Sequence, residues 1–336
     1  MWAVGTLWKT NSAGGAEEHP LAMRYNGDHW WRVAFPASIT NTKTSLSSVV
    51  AISPTDVWAV GSPDTFAGPL VVHWDGSTWS KVTVPLPPAD RRTPVMNAVD
   101  ASSASNVWMV GYVGAGVFFD HWNGTSWTLV RLPQLVPSGD FLEPESIRVF
   151  SPTNVWVSTF DLAAGCCCGC HAELIHYNGT KWAAAQPPDP TGDADYDMGD
   201  LGGTAANLWS AGANGGVDEY QQLVYQHTPG GKWKAIMPFP NYNAQNPNRS
   251  AALSGVVAPT PTDVWAPGSW VNTANETCGG PLVAHYDGTT WTDMGVAHRT
   301  HCTYPAAITT VPGSRELWMV GAGDTGGPVI WYRSTS

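Results

Sequence analysis

The 336-residue sequence is poor in charge: Asp, Glu, Lys and Arg make up 13% of it, and lysine occurs six times. With a formal net charge of −11 it has no basic patch able to neutralise a series of phosphates, which argues against nucleic acid and against an anionic membrane surface as partners. It has no run of about 18 apolar residues, so no segment has the length of a membrane-spanning helix. No stretch sustains a helical hydrophobic period. A secretory signal is missing from the N-terminus. Met1 stands where a later repeat has Val57, so the chain is expected to open inside a repeat, as a trimmed or mature form or from a misplaced start. A Ser-nucleophile motif and a phosphate-cradling Gly loop are also missing, since the glycines recur with turns. Tryptophan, by contrast, is abundant at 19 residues, and so aromatic a composition excludes a disordered chain.

The tryptophans are placed periodically. The phrase Ser53-Pro54-Thr55-Asp56-Val57-Trp58-Ala59-Val60-Gly61 returns as an apolar residue, Trp and then usually Gly at Trp2, Trp58, Trp108, Trp156, Trp209, Trp265 and Trp318, with spacings of 56, 50, 48, 53, 56 and 53 residues. A regular period from end to end implies one supersecondary unit repeated, hence a single domain of seven units rather than several unrelated domains. The units span about 1–36, 44–86, 95–133, 145–187, 197–238, 251–295 and 305–336.

Each unit reads as four short strands, most plainly in the second, at 46–52, 57–60, 70–74 and 78–84. They are rich in Val, Trp and Thr and bounded by Gly, Pro, Asn and Asp. Strands one and two are joined by tight turns, SPTD at 53–56, SPTN at 151–154 and TPTD at 260–263, whose Pro and Asp or Asn suit type I geometry. Strands three and four are joined by Asn26-Gly27, Asp75-Gly76, Asn123-Gly124, Asn178-Gly179 and Asp287-Gly288, which are hairpin dipeptides. The links from strand two to three, and from one unit to the next, are longer and differ every time. In an up-and-down blade these variable links share one face, where binding residues tend to lie. The expectation is an all-β, seven-bladed propeller of 26 strands, three in the first and last blades and four in the others.

The hairpins HWDGSTW at 73–79, HWNGTSW at 121–127 and HYDGTTW at 285–291 resemble the turn between strands three and four of Kelch and Asp-box propeller repeats. Together with DVWAVG they resemble the Trp-rich propellers of secreted bacterial proteins. The spacing from Asp to Trp is one residue shorter than a true Asp box, the Gly pair of a Kelch strand three is missing, and unit five breaks the hairpin as Thr228-Pro229-Gly230-Gly231-Lys232-Trp233. The resemblance implies a fold and leaves function open, since such propellers include lectins, glycosidases, oxidases and inert scaffolds.

Two sets of histidines emerge. His73, His121, His176 and His285 repeat before the hairpin and are expected to serve the blade; His19, His171, His298 and His301 do not repeat and fall on the variable face. Six cysteines and four Asn-x-Ser/Thr triplets, at Asn123, Asn178, Asn248 and Asn275, suit an extracellular or periplasmic protein. Cys278 and Cys302 lie in links that should adjoin and are expected to form a disulfide. Cys166, Cys167, Cys168 and Cys170 either bridge among themselves or, with His171, offer thiolates to copper or zinc. Asp193, Asp195 and Asp197 alternate within DPTGDADYDMGD and are candidates for calcium, with Met198 where calcium loops carry Gly.

Aromatic residues also gather in the variable links: Trp8, Phe66, Tyr112, Phe141, Tyr196, Tyr220, Tyr242, Trp270 and Tyr304. Rings beside amides and carboxylates suit sugars, covering their apolar faces while polar groups orient the hydroxyls. The expected function is binding of a glycan or other extracellular ligand through Trp8, His19, His171, Tyr242, Trp270, His298, His301 and Tyr304. The alternative is an enzyme on the same face, either a metal oxidoreductase or a glycosidase-like hydrolase.

Overall fold

The computed structural model describes residues 1–10, 14–40, 43–62, 68–88, 93–114, 116–132, 141–162, 171–189, 196–215, 220–228, 230–240, 249–273, 279–295, 302–311, 314, 316–323 and 327–333, with backbone alone at 141, 161, 162, 171 and 172. The strands form seven antiparallel sheets, the blades of a seven-bladed β-propeller. Blade one is Trp2–Thr10, Ala16–Tyr25 and Trp30–Arg32; blade two is Ser48–Ser53, Asp56–Gly61, Leu70–Trp74 and Trp79–Lys81. Blade three is Val95–Ser103, Asn106–Val113, Gly116–Trp122 and Trp127–Arg131; blade four is Phe141–Ser151, Asn154–Leu162, His171–Tyr177 and Trp182–Ala184. Blade five is Leu201–Thr204, Asn207–Asn214, Gln221–Thr228 and Lys232–Ile236. Blade six is Arg249–Leu253, Val257–Thr260, Asp263–Asn272, Gly280–Tyr286 and Trp291–Asp293, and blade seven is Thr303–Thr310, Leu317–Gly323 and Pro328–Arg333.

One strand more is present among the described residues than the pattern led us to expect, because strand one of blade six is broken in two: Arg249–Leu253 and Val257–Thr260 both pair with Asp263–Asn272. The break has a chemical cause. Pro267 stands where the repeat has Val60, and its carbonyl accepts from Ser254 N at 2.8 Å and Gly255 N at 3.4 Å. Within a strand the N–H and C=O of one residue point the same way, so the N–H that proline lacks would also have faced strand one. The ladder loses its donor there and shifts register.

The glycine that closes the repeat phrase is required by close approach. A Cβ on Gly61 would lie 1.9 Å from the carbonyl oxygen of Ser45, and one on Gly268 would lie 2.0 Å from that of Ala252. Strand one therefore packs against bare backbone at this position.

The chain divides into two compact units, Met1–Val157 with Ile175–Ala183, and Ser158–Leu174 with Ala184–Ser336. In the first unit the apolar clusters join neighbouring blades. Val57, Ala59, Leu70, Val72 and Trp79 of blade two pack with Ala22 of blade one; Trp58, Val60 and Val71 pack with Met96, Met109 and Phe118 of blade three; Val110 and Phe119 pack with Ile147, Val155 and Trp182 of blade four. In the second unit Trp209, Ala211 and Val224 of blade five pack with Leu253, Val264 and Leu282 of blade six, and Trp265 and Val283 pack with Ile308 and Leu317 of blade seven. A blade is a single sheet with two apolar faces, so it buries them against its neighbours.

Candidate functional site

The tight-turn ends of the blades use their polar side chains locally. Asp75 Oδ1 accepts from Ser77 N at 2.8 Å, Ser77 Oγ at 2.8 Å and Thr78 N at 2.9 Å, and these bonds hold its carboxyl down at about 2. Asn123, Asn178 and Asp287 repeat the arrangement. Gly76 has a φ of 101°, and a Cβ there would lie 2.7 Å from Thr55 Cγ2, so the hairpin sits tightly on the SPTD turn.

The repeated histidines serve the blade as expected. His73 Nε2 donates to Asp56 Oδ1 at 2.8 Å and His285 Nε2 to Asp263 Oδ1 at 2.9 Å; His121 and His176 reach Asn106 and Asn154 in the same way at 2.8 and 3.0 Å. Each ring lies on the repeat Trp, with centroids 3.8 to 4.2 Å apart. Blade five replaces the histidine with Gln226, whose amide donates to Asn207 at 3.0 Å.

The opposite ends of the strands carry different chemistry. In the first unit Trp8 lies near the end of its strand, paired with Glu18, and is 58% exposed. His19 is on a strand rather than in a loop, because the first hairpin of blade one runs on past the repeat; its Nδ1 donates to Thr40 O at 3.0 Å. Glu17 beside it pairs with Lys43 at 3.3 Å. In blades three and four the Tyr112 hydroxyl is hydrogen-bonded to Glu143. Burial, the charge and hydrogen bond of Glu143, and the charge of Glu145 all push that phenol above its usual range. Glu143 and Glu145 are two apart on one strand, so they share a face. Sequence reasoning missed this pair; the signal was the alternation Glu143-Pro144-Glu145 directly after a long link.

In the second unit Tyr220, 40% exposed, is held at the start of blade five's strand three by Ser250 Oγ, which accepts from its N–H at 2.8 Å. Next to Ser250, the Arg249 guanidinium lies 4.0 Å over the ring of Trp270. Trp270 also packs against the apolar cluster of blades five and six and against Gly280, so one part of the ring is structural. Tyr304 is the second residue of strand one of blade seven and is half-buried, close to a buried, disulfide-bonded Cys302. Asp197, a calcium candidate, accepts a hydrogen bond from the Ala213 N–H, so one oxygen is tied to the neighbouring strand. Tyr196 and Tyr225 sit nearby with centroids 6.1 Å apart; burial first, and the charge of Asp189 among lesser causes, pushes both phenols upward.

Other expectations fall outside the described residues: Tyr242, His298, His301, Asp193, Asp195, Cys166, Cys167, Cys168, Cys170 and Cys278. His171 opens strand three of blade four, with its backbone alone described. Among the described residues no group of three or more His, Cys, Asp or Glu side chains is placed to hold a metal ion.

Solved structures share this fold. A YCF48 bound to D1 peptide is 16% identical, with 99% of this chain and 97% of that chain covered at a TM-score of 0.58. A protein from Lactobacillus plantarum is 11% identical, with 99% and 93% covered at 0.60. The GH93 alpha-L-arabinofuranosidase of Fusarium graminearum, solved with arabinobiose, is 12% identical, with 89% and 94% covered at 0.52. Likeness at these identities carries the propeller architecture and leaves the chemistry to the side chains. No protein-family model matches the chain, and no curated protein matches it.

Proposed function

We propose that this chain is an extracellular or periplasmic propeller that binds a glycan at the blade ends bearing the long links. The observation that carries the reading is the contrast between the two ends of the strands. At the tight turns, side-chain oxygens such as those of Asp75 and Asp287 are occupied by their own hairpins. At the other end exposed rings stand beside charged groups, Trp8 next to Glu17 and Glu18, and Tyr220 near Arg249 and Trp270. A sugar uses both kinds of group, stacking its C–H face on a ring and sharing its hydroxyls with carboxylates and guanidinium. The hairpin repeat is read with it as a Trp-rich variant of the Kelch and Asp-box pattern. The neighbours' printed ligands, a peptide in one case and arabinobiose in another, are compatible with this reading.

The test is a glycan-array screen followed by titration of the best binder. Where the first unit holds the ligand, Trp8→Ala should weaken binding about tenfold, and where the second unit holds it, Tyr220→Ala should do so, the worth of a stacked ring. Ser77→Ala and Thr289→Ala, at the tight-turn end, should leave affinity unchanged. Loss of binding in the second pair but not in the first would reverse the assignment of ends.

A second reading rests on Tyr112, Glu143 and Glu145. Two carboxylates on one strand face, one of them hydrogen-bonded to a phenol, are the groups that glycoside hydrolysis uses as acid, base or nucleophile. Release of reducing sugar from a bound glycan, abolished in Glu143→Gln with binding retained, would favour it.

A further inference from the structure

In strand three of blade five, Gln222 stands opposite Ala213, one rung of the ladder that the repeat does not fill with a polar group. In blades one, six and seven that rung is a proline, Pro20, Pro281 or Pro328, and in blade three it is Val117. Gln222 is 1% exposed, and its Nε2 has no hydrogen-bond partner among the described residues. Burying an amide donor in this way costs stability, and proline or valine serves the blade at the same place. The register turns Gln222 to the face of Ala211 and Val224, the face on which Trp270 of blade six packs.

Trp270 also departs from the repeat: Val113, Asn214 and Gly323 stand in its place in blades three, five and seven. It pairs with Ala251, and Arg249, two residues before Ala251, lies on the same strand face. The Arg249 guanidinium stacks 4.0 Å from the Trp270 ring centroid, and Gly280 backs that ring so closely that a Cβ there would lie 3.3 Å from Trp270 Nε1. Stacking engages the flat face of a guanidinium. Its N–H donors lie in the plane, so Arg249 can keep a partner within the chain and still present a forked edge. Tyr220 completes the group. Its N–H donates to Ser250 Oγ at 2.8 Å and its carbonyl accepts from Ala251 N at 3.0 Å, which pins it to the strand carrying Arg249 while the residue stays exposed.

Building on the glycan reading, we propose that this end of blades five and six selects a carboxylated sugar of the uronic-acid class, its carboxylate held by Arg249 and Gln222 and its ring against Tyr220. A guanidinium and an amide N–H only donate, so they call for an acceptor, and the charge of Arg249 calls for an anion. A carboxylate matches the planar fork in shape as well as in charge. The phenol ring adds the contact that a sugar offers through its C–H face. A chain with a net charge of −11 disfavours anions at large, so capturing one takes a dedicated cation.

The probes are oligosaccharides of galacturonic and of glucuronic acid, each beside its carboxyl-reduced form, which keeps the ring and the linkage and loses the charge. In titration calorimetry with the intact chain, an acidic member should bind about tenfold more tightly than its reduced form. Arg249→Gln should bring the acidic member down to the affinity of the reduced one. Arg249→Lys, which keeps the charge without the fork, should lose most of the preference. Gln222→Leu should raise Tm, since it removes a buried donor, yet weaken acidic binding severalfold with the reduced form unchanged. A merely structural role would move Tm and leave the preference alone. Equal binding of the two forms, or a preference that survives Arg249→Gln, would overturn the acidic assignment and leave the glycan reading standing. Failure of acidic and neutral sugars alike, with these probes and on the array, would overturn both. A Glu-rich peptide that binds more tightly than either acid, and is lost in Arg249→Gln, would overturn the sugar and assign these donors to a protein carboxylate.

Discussion

Asp120 occupies, in strand three of blade three, the place held by Val72, Tyr225 and Ala284 in other blades. It pairs with Met109 and Leu129, so it shares their face, turned toward the cluster of Trp58, Val60 and Phe118. It is fully buried, neither carboxylate oxygen has a hydrogen-bond partner, and burial pushes it up to about 7. Its folded-state value lies above its unfolded one, so the folded protein holds the extra proton between roughly pH 4 and pH 7. Stability should therefore fall as pH rises through that window and level off above it. Asp120→Val should flatten the fall and stabilise the protein at pH 8 by on the order of 3 kcal/mol, read from urea unfolding at pH 5 and pH 8. An unchanged pH dependence in the variant would place the titration elsewhere.

The repeated His has an opposite character, since its bond is satisfied and its ring is stacked. Replacing His285 by Ala removes a hydrogen bond to Asp263 and a ring from Trp265, and should cost about 1 to 3 kcal/mol in denaturant midpoint analysis. His285 was readable as structural because it recurs. Asp120 was not, because a lone carboxylate in a strand gives no sign of which face it occupies until the register with Met109 is known.

At the scale of the element, hairpins and tight turns were legible because their chemistry is local. Asn-Gly and Asp-Gly specify the φ that the turn needs, and the preceding aromatic and following Trp set the pairing, as with Trp74 and Trp79. Contacts between links were not legible, since Tyr112 meets Glu143 and Tyr220 meets Ser250 across about thirty residues of chain. Nor was the interruption of blade six, although its cause, Pro267, was visible. A proline reads as a strand breaker, but which neighbouring strand it breaks depends on the side its missing N–H would face. Pro267→Val should restore the donor and join Arg249–Leu253 to Val257–Thr260. The expected gain is about 1 kcal/mol, with slowed amide exchange at Ser254 and Gly255. Exchange that stays fast in a folded variant would show that the break is set by packing instead.

At the scale of the molecule, the period of seven Trp residues foretold seven blades, because each blade needs the same ring at the same place to seal against its neighbour. What the period could not foretell is what each departure from it does. The disulfide of Cys302 is one departure. If its partner is Cys278, as the sequence leads us to expect, the bridge closes a loop of about 24 residues and on the chain-entropy model adds roughly 3 kcal/mol. Reduction, or Cys302→Ser, should lower Tm, and peptide mapping without reduction should recover the two cysteines in one linked fragment. Recovery of Cys302 linked to the Cys166–Cys170 stretch would assign the bridge differently.

Because the apolar clusters lie between blades and not within them, damage to one blade should register in two. Trp209 is buried in blade five, yet its ring meets Tyr286 and Trp291 of blade six at 6.1 Å each. Trp209→Ala should cost about 3 to 5 kcal/mol. Amide exchange should then speed up together in Gln221–Thr228 of blade five and Gly280–Tyr286 of blade six, since the exchange-competent opening must break the layer that both share. Loss of protection in blade five alone would mean that a blade is stable by itself, and that the shared clusters join units already folded.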